Sequence, residues 1–161
     1  MKLDNEELSQ LWDELTPKLY GYLINVVRDP VLAEDLLQNT WLKAMEALAR
    51  YEDRGISISA WLFAIARNEC RQAWRKSNRE EPFDLSIHDK AAAGHSSEDN
   101  ILVEQLLAKL SEDDRELIRL RYIADLPIND IAGILNLNFV TVRVRLHRAL
   151  VRAKSYATHN S

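Results

Sequence analysis

The chain contains little cysteine, glycine and proline, and each scarcity narrows the range of possible folds and functions. Its 161 residues include one cysteine, four glycines and four prolines. The single cysteine, Cys70, allows no internal disulfide and no cysteine-based zinc site, and the four histidines are scattered without ligand spacing. The sequence therefore predicts neither a bound metal nor another cofactor, and it fits the reducing cytoplasm.

Long apolar runs and alternating strand patterns are also lacking. No run of about 18 apolar residues occurs, and the first residues, MKLDNEELSQLW, are acidic and amphipathic rather than typical of a signal sequence. We therefore expect neither membrane insertion nor secretion. Apolar residues instead recur about every 3.6 positions in a chain that is 47% hydrophobic. This pattern predicts an all-α protein with substantial hydrophobic cores.

Acidic residues are scarce in two segments, and this distribution is more informative than the net charge of -4. Residues 54 to 79 contain six lysines and arginines but only one acid, Glu69. Residues 137 to 161 contain five lysines and arginines and no acid. Two cationic segments separated by acidic ones predict two nucleic-acid contacts on one protein.

The first cationic segment contains a predicted helix at 61 to 79, WLFAIARNECRQAWRKSNR. Its apolar side, where Cys70 is expected to be buried, carries Leu62, Ile65, Ala66 and Ala73. Its polar side carries Arg67, Asn68, Arg71, Arg75 and Asn78, with Trp61, Phe63 and Trp74 near the borders. Clustered guanidinium groups attract anions, and aromatic rings stack on unpaired bases, so this helix favours opened or single-stranded DNA. A solvated arginine face above an ordinary core is the alternative.

Prolines divide the chain that precedes this helix. We predict a helix at 4 to 15, a second to about Arg28 and a third from Pro30 to about Arg50. In Thr16-Pro17 and in Asp29-Pro30, the first residue is expected to cap the helix and the proline to occupy its first position. The third helix is expected to bury Ala33, Leu36, Leu37, Thr40, Trp41, Ala44 and Leu48. Its other face mixes acidic and apolar groups and suits a protein partner, unless it is simply solvated. That face carries Glu34, Asp35, Gln38, Asn39, Leu42 and Met45. Ser59 is expected to cap the helix that follows the loop at 51 to 59.

A change of composition divides the chain into two domains. Residues 80 to 98 contain proline, glycine, serines and charges without a sustained period, which is typical of a flexible linker. We therefore assign a first domain to 1 to 79 and a second to 99 to 161. The second is predicted to begin with a helix near 100 to 109. Ser111 and Asp114 then form a capping box for a helix that carries Leu117, Ile118, Leu120 and Tyr122.

The clearest motif in the chain is a helix-turn-helix. It comprises a helix at 127 to 135, a turn at Asn136-Leu137 and a second helix capped by Asn138. The second helix is expected to bury Phe139, Val142, Leu146, Leu150 and Ala153. Its exposed residues suit the major groove, since Arg contacts guanine edges and phosphates and Val contacts thymine methyls. They are Val140, Thr141, Val144, Arg145, His147, Arg148 and Arg152. A purely structural helical hairpin is the alternative.

Taken together, these segments resemble the bacterial RNA polymerase sigma factors of the sigma-70 family, extracytoplasmic-function type. Region 2 of that family is resembled by DPVLAEDLLQNTWLKAMEAL at 29 to 48 and by the helix at 61 to 79. Region 4 is resembled by residues 106 to 150. Val140 and Val144 depart from the residues that the family often has at those positions, which predicts an unusual minus-35 sequence.

The resemblance implies a role for each surface. Residues expected on the clamp of the largest subunit of core RNA polymerase are Glu34, Asp35, Gln38, Asn39 and Leu42. Those expected on the melted minus-10 element are Arg54, Ser57, Arg67, Asn68, Arg71, Gln72, Trp74, Arg75 and Arg79. Those expected on the double-stranded minus-35 element are Thr141, Arg143, Val144, Arg145, His147, Arg148 and Arg152. The resemblance also implies contact with the flap of the second-largest subunit, and an inhibitory anti-sigma factor as a partner.

The residues alone leave two other hypotheses. The first is a free-standing helix-turn-helix regulator whose N-terminal helices only dimerise or sense a ligand. The second is a first domain that is chiefly a protein-interaction module. No nucleophile with a neighbouring base, no metal cluster and no phosphate-binding glycine loop occurs in the sequence. The sequence therefore predicts a binding protein and no enzyme.

Overall fold

The computed structural model describes residues 3–52, 55–80 and 105–159, with the side chains of residues 79, 80 and 159 left out. Residues 81 to 98 of the predicted linker lie outside the described residues, and residue 80 is the end of a helix. Of the predicted helix at 100 to 109, residues 100 to 104 lie outside the described residues and 105 to 108 are helical. The helices are α1 (Asn5–Val27), α2 (Pro30–Ala47), α3 (Ile58–Glu80), α4 (Glu112–Ile118), α5 (Ile128–Leu135) and α6 (Phe139–His159). No strand occurs in the described ranges, and the all-α prediction is confirmed.

The first helix is continuous, so the predicted break at Thr16-Pro17 is wrong. Asp4 and Glu7 form a capping box at its start, and Pro17 lies inside it. Pro17 and Asp13 are both exposed, so water can reach the Asp13 carbonyl that proline leaves without its helical donor. The hydroxyl of Thr16 accepts a hydrogen bond from Trp41 Nε1 at 3.1 Å instead of capping a new helix.

Two side-chain caps fix the starts of α2 and α3. Asp29 accepts hydrogen bonds from the backbone N–H groups of Val31 and Leu32, with Pro30 at the first helical turn, as predicted. The cap of α3 is Ser57, whose Oγ accepts from the Ala60 N–H at 3.1 Å. The prediction of Ser59 as the cap is therefore wrong by two residues, and Ser59 lies inside the helix.

The second half of the chain, described from residue 105, has Ser111 as a helix cap, whose Oγ accepts from the Asp114 N–H at 3.2 Å, as predicted. The reciprocal bond of the predicted capping box is absent here, because the Asp114 carboxylate accepts from Arg152 instead. A π-helical turn, Arg119–Ile123, follows α4 and interrupts the helical period. Arg119 is buried, and Tyr122, predicted with Leu120 among the apolar residues of this helix, is 58% exposed. Helix α5 ends at Asn136, in the left-handed conformation at φ 55°, and Asn138 accepts from the Thr141 N–H at 2.7 Å. The predicted helix-turn-helix is present.

The buried faces of α5 and α6 pack as predicted, with one exception. Ile131 and Val142 are fully buried between the two helices, and Ala132 lies at their close approach. Phe139, predicted in the core, is 45% exposed. Helical side chains lean toward the N-terminus, so the ring of this first residue extends past the end of the helix instead of over the hairpin.

One hydrophobic core joins the two halves of the chain. Leu19 and Phe63 from the first half belong to the same buried cluster as Leu120 and Ile131 from the second half. Phe63, predicted at the border of the polar stripe, is wholly buried, with its ring edge-on to Tyr22 at 5.7 Å between centroids. The first half of the chain, described to residue 80, and the second half, described from residue 105, are therefore packed against each other. This packing is called the closed arrangement below. No helix in the described ranges is apolar over a length that would span a membrane.

Cys70 is buried in this core, as predicted, and burial raises the pKa of its thiol from 9.0 to about 12. A pKa that is higher in the folded than in the unfolded chain makes ionisation favour unfolding. This contribution to the free energy of unfolding is intact below pH 9 and is lost as the pH rises toward 12. In urea titrations across this interval, Cys70→Ala should lose less stability than the unchanged protein. Parallel pH profiles for the two proteins would contradict the prediction.

Candidate nucleic-acid interface

Helix α3 has one buried face and one exposed cationic face. Leu62 and Ala66 are buried, whereas Asn68, Arg71 and Arg75 are exposed. The predicted core and polar sides are therefore correct for these residues. Of the other predicted minus-10 residues, Gln72 and Trp74 are exposed on the same helix, Arg54 lies outside the described residues, and the side chain of Arg79 is not described.

Among residues 58 to 79 of this helix, the single acid, Glu69, contributes no exposed negative charge. Glu69 is buried, and its carboxylate forms an ion pair with Lys43 from α2. The Lys43 Nζ also donates to Gln72 Oε1 at 3.3 Å. The exposed face therefore presents the arginines, an amide and a lysine, and the acid below them is neutralised. This face is suited to a polyanion.

Arg67, also predicted on the minus-10 element, is held by the second half of the chain. Its Nε lies 3.4 Å from Glu116 Oε1, and its side chain is only 22% exposed. The Tyr22 hydroxyl donates to the same carboxylate oxygen at 2.6 Å. Burial, together with the Glu116 charge, raises the pKa of Tyr22 well above its usual value. In the closed arrangement, Glu116 occupies the position of an anion beside Arg67.

A buried arginine secures Glu116 from the other side. Arg119 Nη1 lies 3.2 Å from Glu116 Oε2 and 2.7 Å from Glu112 Oε1. Its Nε donates to Asn25 Oδ1, in α1, at 2.7 Å. Burial by itself lowers the pKa of Arg119, but the hydrogen bond to Glu112 and the two carboxylates raise it above its usual value. Arg119 thus remains charged inside the contact between the halves.

The loop before α3 also contacts the second half. The Ser57 Oγ donates to Asp130 Oδ2, in α5, at 2.7 Å. One residue earlier, Ile56 lies directly against Gly133, where a β-carbon would overlap its side chain. Ser57, predicted as a DNA contact, is therefore both the cap of α3 and a partner of α5. Two predicted minus-10 residues, Ser57 and Arg67, are engaged by acids of the second half.

The outer face of α6 lies on the surface. Arg143, Val144, Arg145, His147 and Arg148 are exposed, as predicted, and Thr141 is partly exposed near the helix start. A shallow groove along this face is lined by Val140, Arg143, Val144, Leu146, His147, Arg148 and Leu150. Basic and apolar groups side by side on one exposed helix match what major-groove reading requires.

Arg152 has a different environment from the other arginines of α6. Its Nε and Nη2 donate to the two carboxylate oxygens of Asp114 at 2.8 and 3.0 Å. This pair connects α6 to α4, and the hydrogen bond raises the pKa of Arg152 above its usual value. The structure therefore gives Arg152 a partner within the protein, where the resemblance implied a contact with the minus-35 element.

The predicted polymerase-binding face of α2 is exposed. Glu34, Asp35, Gln38, Asn39 and Leu42 all lie on the surface, with Leu42 61% exposed. Met45, one turn further along, is also exposed, and Trp12 from α1 stacks on Trp41 with 4.6 Å between ring centroids. Acidic and apolar side chains thus share one surface, as predicted.

Sequence reasoning missed four residues of these surfaces: Lys43, Glu69, Glu116 and Asp130. Glu69 was detectable, because it recurs with Leu62, Ala66 and Ala73 on the buried side of the helix. A cationic partner for Glu69, the role that Lys43 takes, could then be expected, because a buried carboxylate requires a cation. Glu116 and Asp130 carry no local signal, because their roles depend on how the two halves pack. The described residues contain no cluster of metal ligands.

The fold and these surfaces define a helical DNA-binding protein with two cationic surfaces, one of them on a helix-turn-helix. Comparisons with known proteins agree. The family model for sigma-70 region 2 matches residues 11–80, and that for sigma-70 region 4 matches residues 101–152. The chain belongs to the sigma-70 family of RNA polymerase sigma factors, in the extracytoplasmic-function group.

Relatives extend over nearly the whole chain. The RNA polymerase sigma factor CarQ of Myxococcus xanthus is 30% identical over 149 residues, covering 89% of this chain and 84% of CarQ. The extracytoplasmic-function sigma factor RpoE of Cereibacter sphaeroides is 26% identical, with 95% and 87% covered. The sigma factor RpoE of Bartonella quintana, solved with the anti-sigma factor NepR, is 28% identical with a TM-score of 0.74 over 95% of this chain and 98% of that one.

Proposed function

We propose that this sigma factor directs core RNA polymerase to promoters through two separate DNA contacts. Helix α6 reads the minus-35 element as duplex, and α3 holds the melted non-template strand of the minus-10 element. The exposed cationic face of α3 is the observation that carries the proposal, because Asn68, Arg71, Gln72 and Arg75 lie beside Trp74 with their one acidic neighbour buried. Arginines bind the strand's phosphates, and an aromatic ring stacks on an unpaired base.

The exposed face of α2 is the proposed contact with the polymerase. An acidic and apolar surface centred on Leu42 complements a basic, partly apolar helix of the largest subunit. The flap of the second-largest subunit is the proposed partner of the second domain. Because the Bartonella quintana relative was solved with an anti-sigma factor, we propose a partner of that class here as well. The protein acts by binding, without catalysis, and works where the polymerase is, in the cytoplasm.

The closed arrangement must open before both elements are read. The minus-10 and minus-35 elements lie about 25 base pairs apart, or roughly 85 Å at about 3.4 Å per base pair. A compact chain of this length has a radius of gyration of only roughly 15 Å. We propose that domains at 1 to 79 and 99 to 161 separate on the polymerase, with residues 80 to 98 as the connection. Extended at roughly 3.4 Å per residue, that segment reaches about 65 Å.

Association with the polymerase is the first test. The purified protein and core RNA polymerase should co-elute in gel filtration at one-to-one stoichiometry. Leu42→Asp, which places a charge in the exposed apolar surface of α2, should weaken that association by at least about tenfold. Tyr122→Asp is the control, because Tyr122 is also a large exposed side chain but lies outside α2. No co-elution of the unchanged protein would overturn the proposal.

Loss of an arginine on α6 should change promoter choice at one minus-35 position. Arg148→Ala should weaken promoter binding by about tenfold and relax discrimination at a single base pair, since a bidentate contact contributes about 1 to 3 kcal/mol. Arg152→Ala should leave discrimination unchanged and instead lower the melting temperature, because it removes the pair with Asp114. Transcription from a library with a randomised minus-35 element measures both variants. Equal loss of discrimination in the two variants would contradict this assignment.

A further inference from the structure

The contact of Lys43 with Gln72 bears on how the minus-10 base is read. Glu69 is buried, and within the described part of the chain its carboxylate is paired with Lys43 alone. Withdrawal of the ammonium group would leave an uncompensated buried charge, which costs several kcal/mol in typical proteins. Lys43 is therefore fixed in place from below, although about half of its side chain is exposed.

This fixed ammonium group determines which way the Gln72 amide faces. Lysine only donates hydrogen bonds, so it must meet the Gln72 carbonyl oxygen, and that oxygen lies 3.3 Å from Nζ. The Gln72 NH2 group therefore points away from Lys43, toward solvent. Within the described residues, it has no hydrogen-bond partner. Gln72 thus presents donors to a ligand on this face, and a positive charge stands beside its acceptor.

The orientation of the Gln72 amide affects whether it can bind adenine. A free glutamine amide reads adenine with both groups, accepting from N6 and donating to N7. Lys43 occupies the carbonyl oxygen and repels a second donor there. The remaining donors suit base edges that offer acceptors, such as O6 and N7 of guanine or the carbonyl oxygens of thymine and cytosine.

We propose that Lys43, held by the buried Glu69, is a specificity-determining residue that orients Gln72 to disfavour adenine at one position of the melted minus-10 strand. The inference rests on the proposed function of α3 and adds to it a residue of α2. Lys43 acts through Gln72 and is therefore a positioning residue.

The test compares open-complex formation by the polymerase holoenzyme on promoters that carry each base at each minus-10 position. The unchanged protein should disfavour adenine about tenfold at one position. The double variant K43M/E69M replaces the ion pair with apolar side chains of similar length, which proteins commonly tolerate. It should raise the relative occupancy of adenine at that position by about fivefold or more. The triple variant K43M/E69M/Q72A should show no preference beyond that of Q72A alone.

A second variant leaves the ion pair intact. In Q72E, one carboxylate oxygen still accepts from Lys43 and the other replaces the outward NH2 group. This exposed substitution does not touch the core, and it should abolish the preference for acceptor-bearing bases at the same position.

The outcomes distinguish the role assigned to Lys43 from the proposed sigma-factor function. An unchanged base preference in K43M/E69M, or the same change in the Q72A background, would overturn the role assigned to Lys43 while leaving the sigma-factor function intact. If K43M/E69M fails to fold, as judged by its circular dichroism, an unchanged preference in Q72E overturns the role. Failure of the unchanged protein to open any promoter would instead overturn the proposed function, and this inference with it.

Discussion

Oxidised Ile56→Cys/Gly133→Cys protein should not support transcription initiation, and reduction should restore it. Ile56 precedes α3 and Gly133 lies in α5, on opposite sides of the contact between the two halves. A β-carbon placed on Gly133 lies 3.9 Å from the β-carbon of Ile56, within the range that disulfides require. The bond would hold Ser57 and Arg67 against Asp130 and Glu116 and prevent the two DNA surfaces from separating. We expect at least a hundredfold loss of open complex, because a covalent bond leaves no open population.

The matched control is Ile56→Ser/Gly133→Ser, which introduces side chains of similar size that cannot form a bond. It should initiate transcription equally well under oxidising and reducing conditions. Cys70 does not compete for the new cysteines, because it is buried and its raised pKa leaves little thiolate. Full activity of the oxidised protein, with the disulfide verified by mass spectrometry, would show that the halves need not separate.

Removal of two arginines from α3 is the second change with a large expected effect. Arg71→Ala/Arg75→Ala should reduce open-complex formation by about a hundredfold, since each lost charge-assisted contact costs about 1.5 kcal/mol or more. Polymerase binding should persist, because the proposed docking face lies on α2. Binding to duplex minus-35 DNA should also persist, because that surface lies on α6.

Permanganate reactivity of unpaired thymines measures this opening directly. Arg50→Ala/Lys109→Ala is the control, because it removes two exposed positive charges away from the face of α3. Equal loss in both double variants would indicate a general charge effect. Unimpaired opening in the α3 variant would support the hypothesis that the first domain only binds protein.

The elements that sequence predicted well depend on local chemistry. Asp29-Pro30, Ser111 and Asn138 begin helices as predicted, because a cap requires only a side chain and the next turn of backbone. The same reasoning wrongly predicted a helix start at Pro17, which lies inside α1. Whether proline begins a helix or lies within one depends on solvent access to the carbonyl four residues earlier, which a local motif does not contain.

The site was predictable to the extent that it lies on single helices. The exposed sets on α2, α3 and α6 follow from helical period, and most of their members are exposed as expected. The helical period failed at the π-helical turn, where Tyr122, predicted among the apolar residues of the helix, is 58% exposed. Helical periodicity also could not predict that Arg67 pairs with Glu116 or Ser57 with Asp130, because the residues of each pair lie far apart in sequence.

Run-off transcription with purified core RNA polymerase, on genomic fragments and with and without this protein, tests the central claim most directly. We predict new start sites that appear only when the protein is present. Upstream of them should lie a shared minus-10 element and a shared minus-35 element at constant spacing. Binding of the protein to duplex DNA with no start site beyond those of the core enzyme alone would contradict the account.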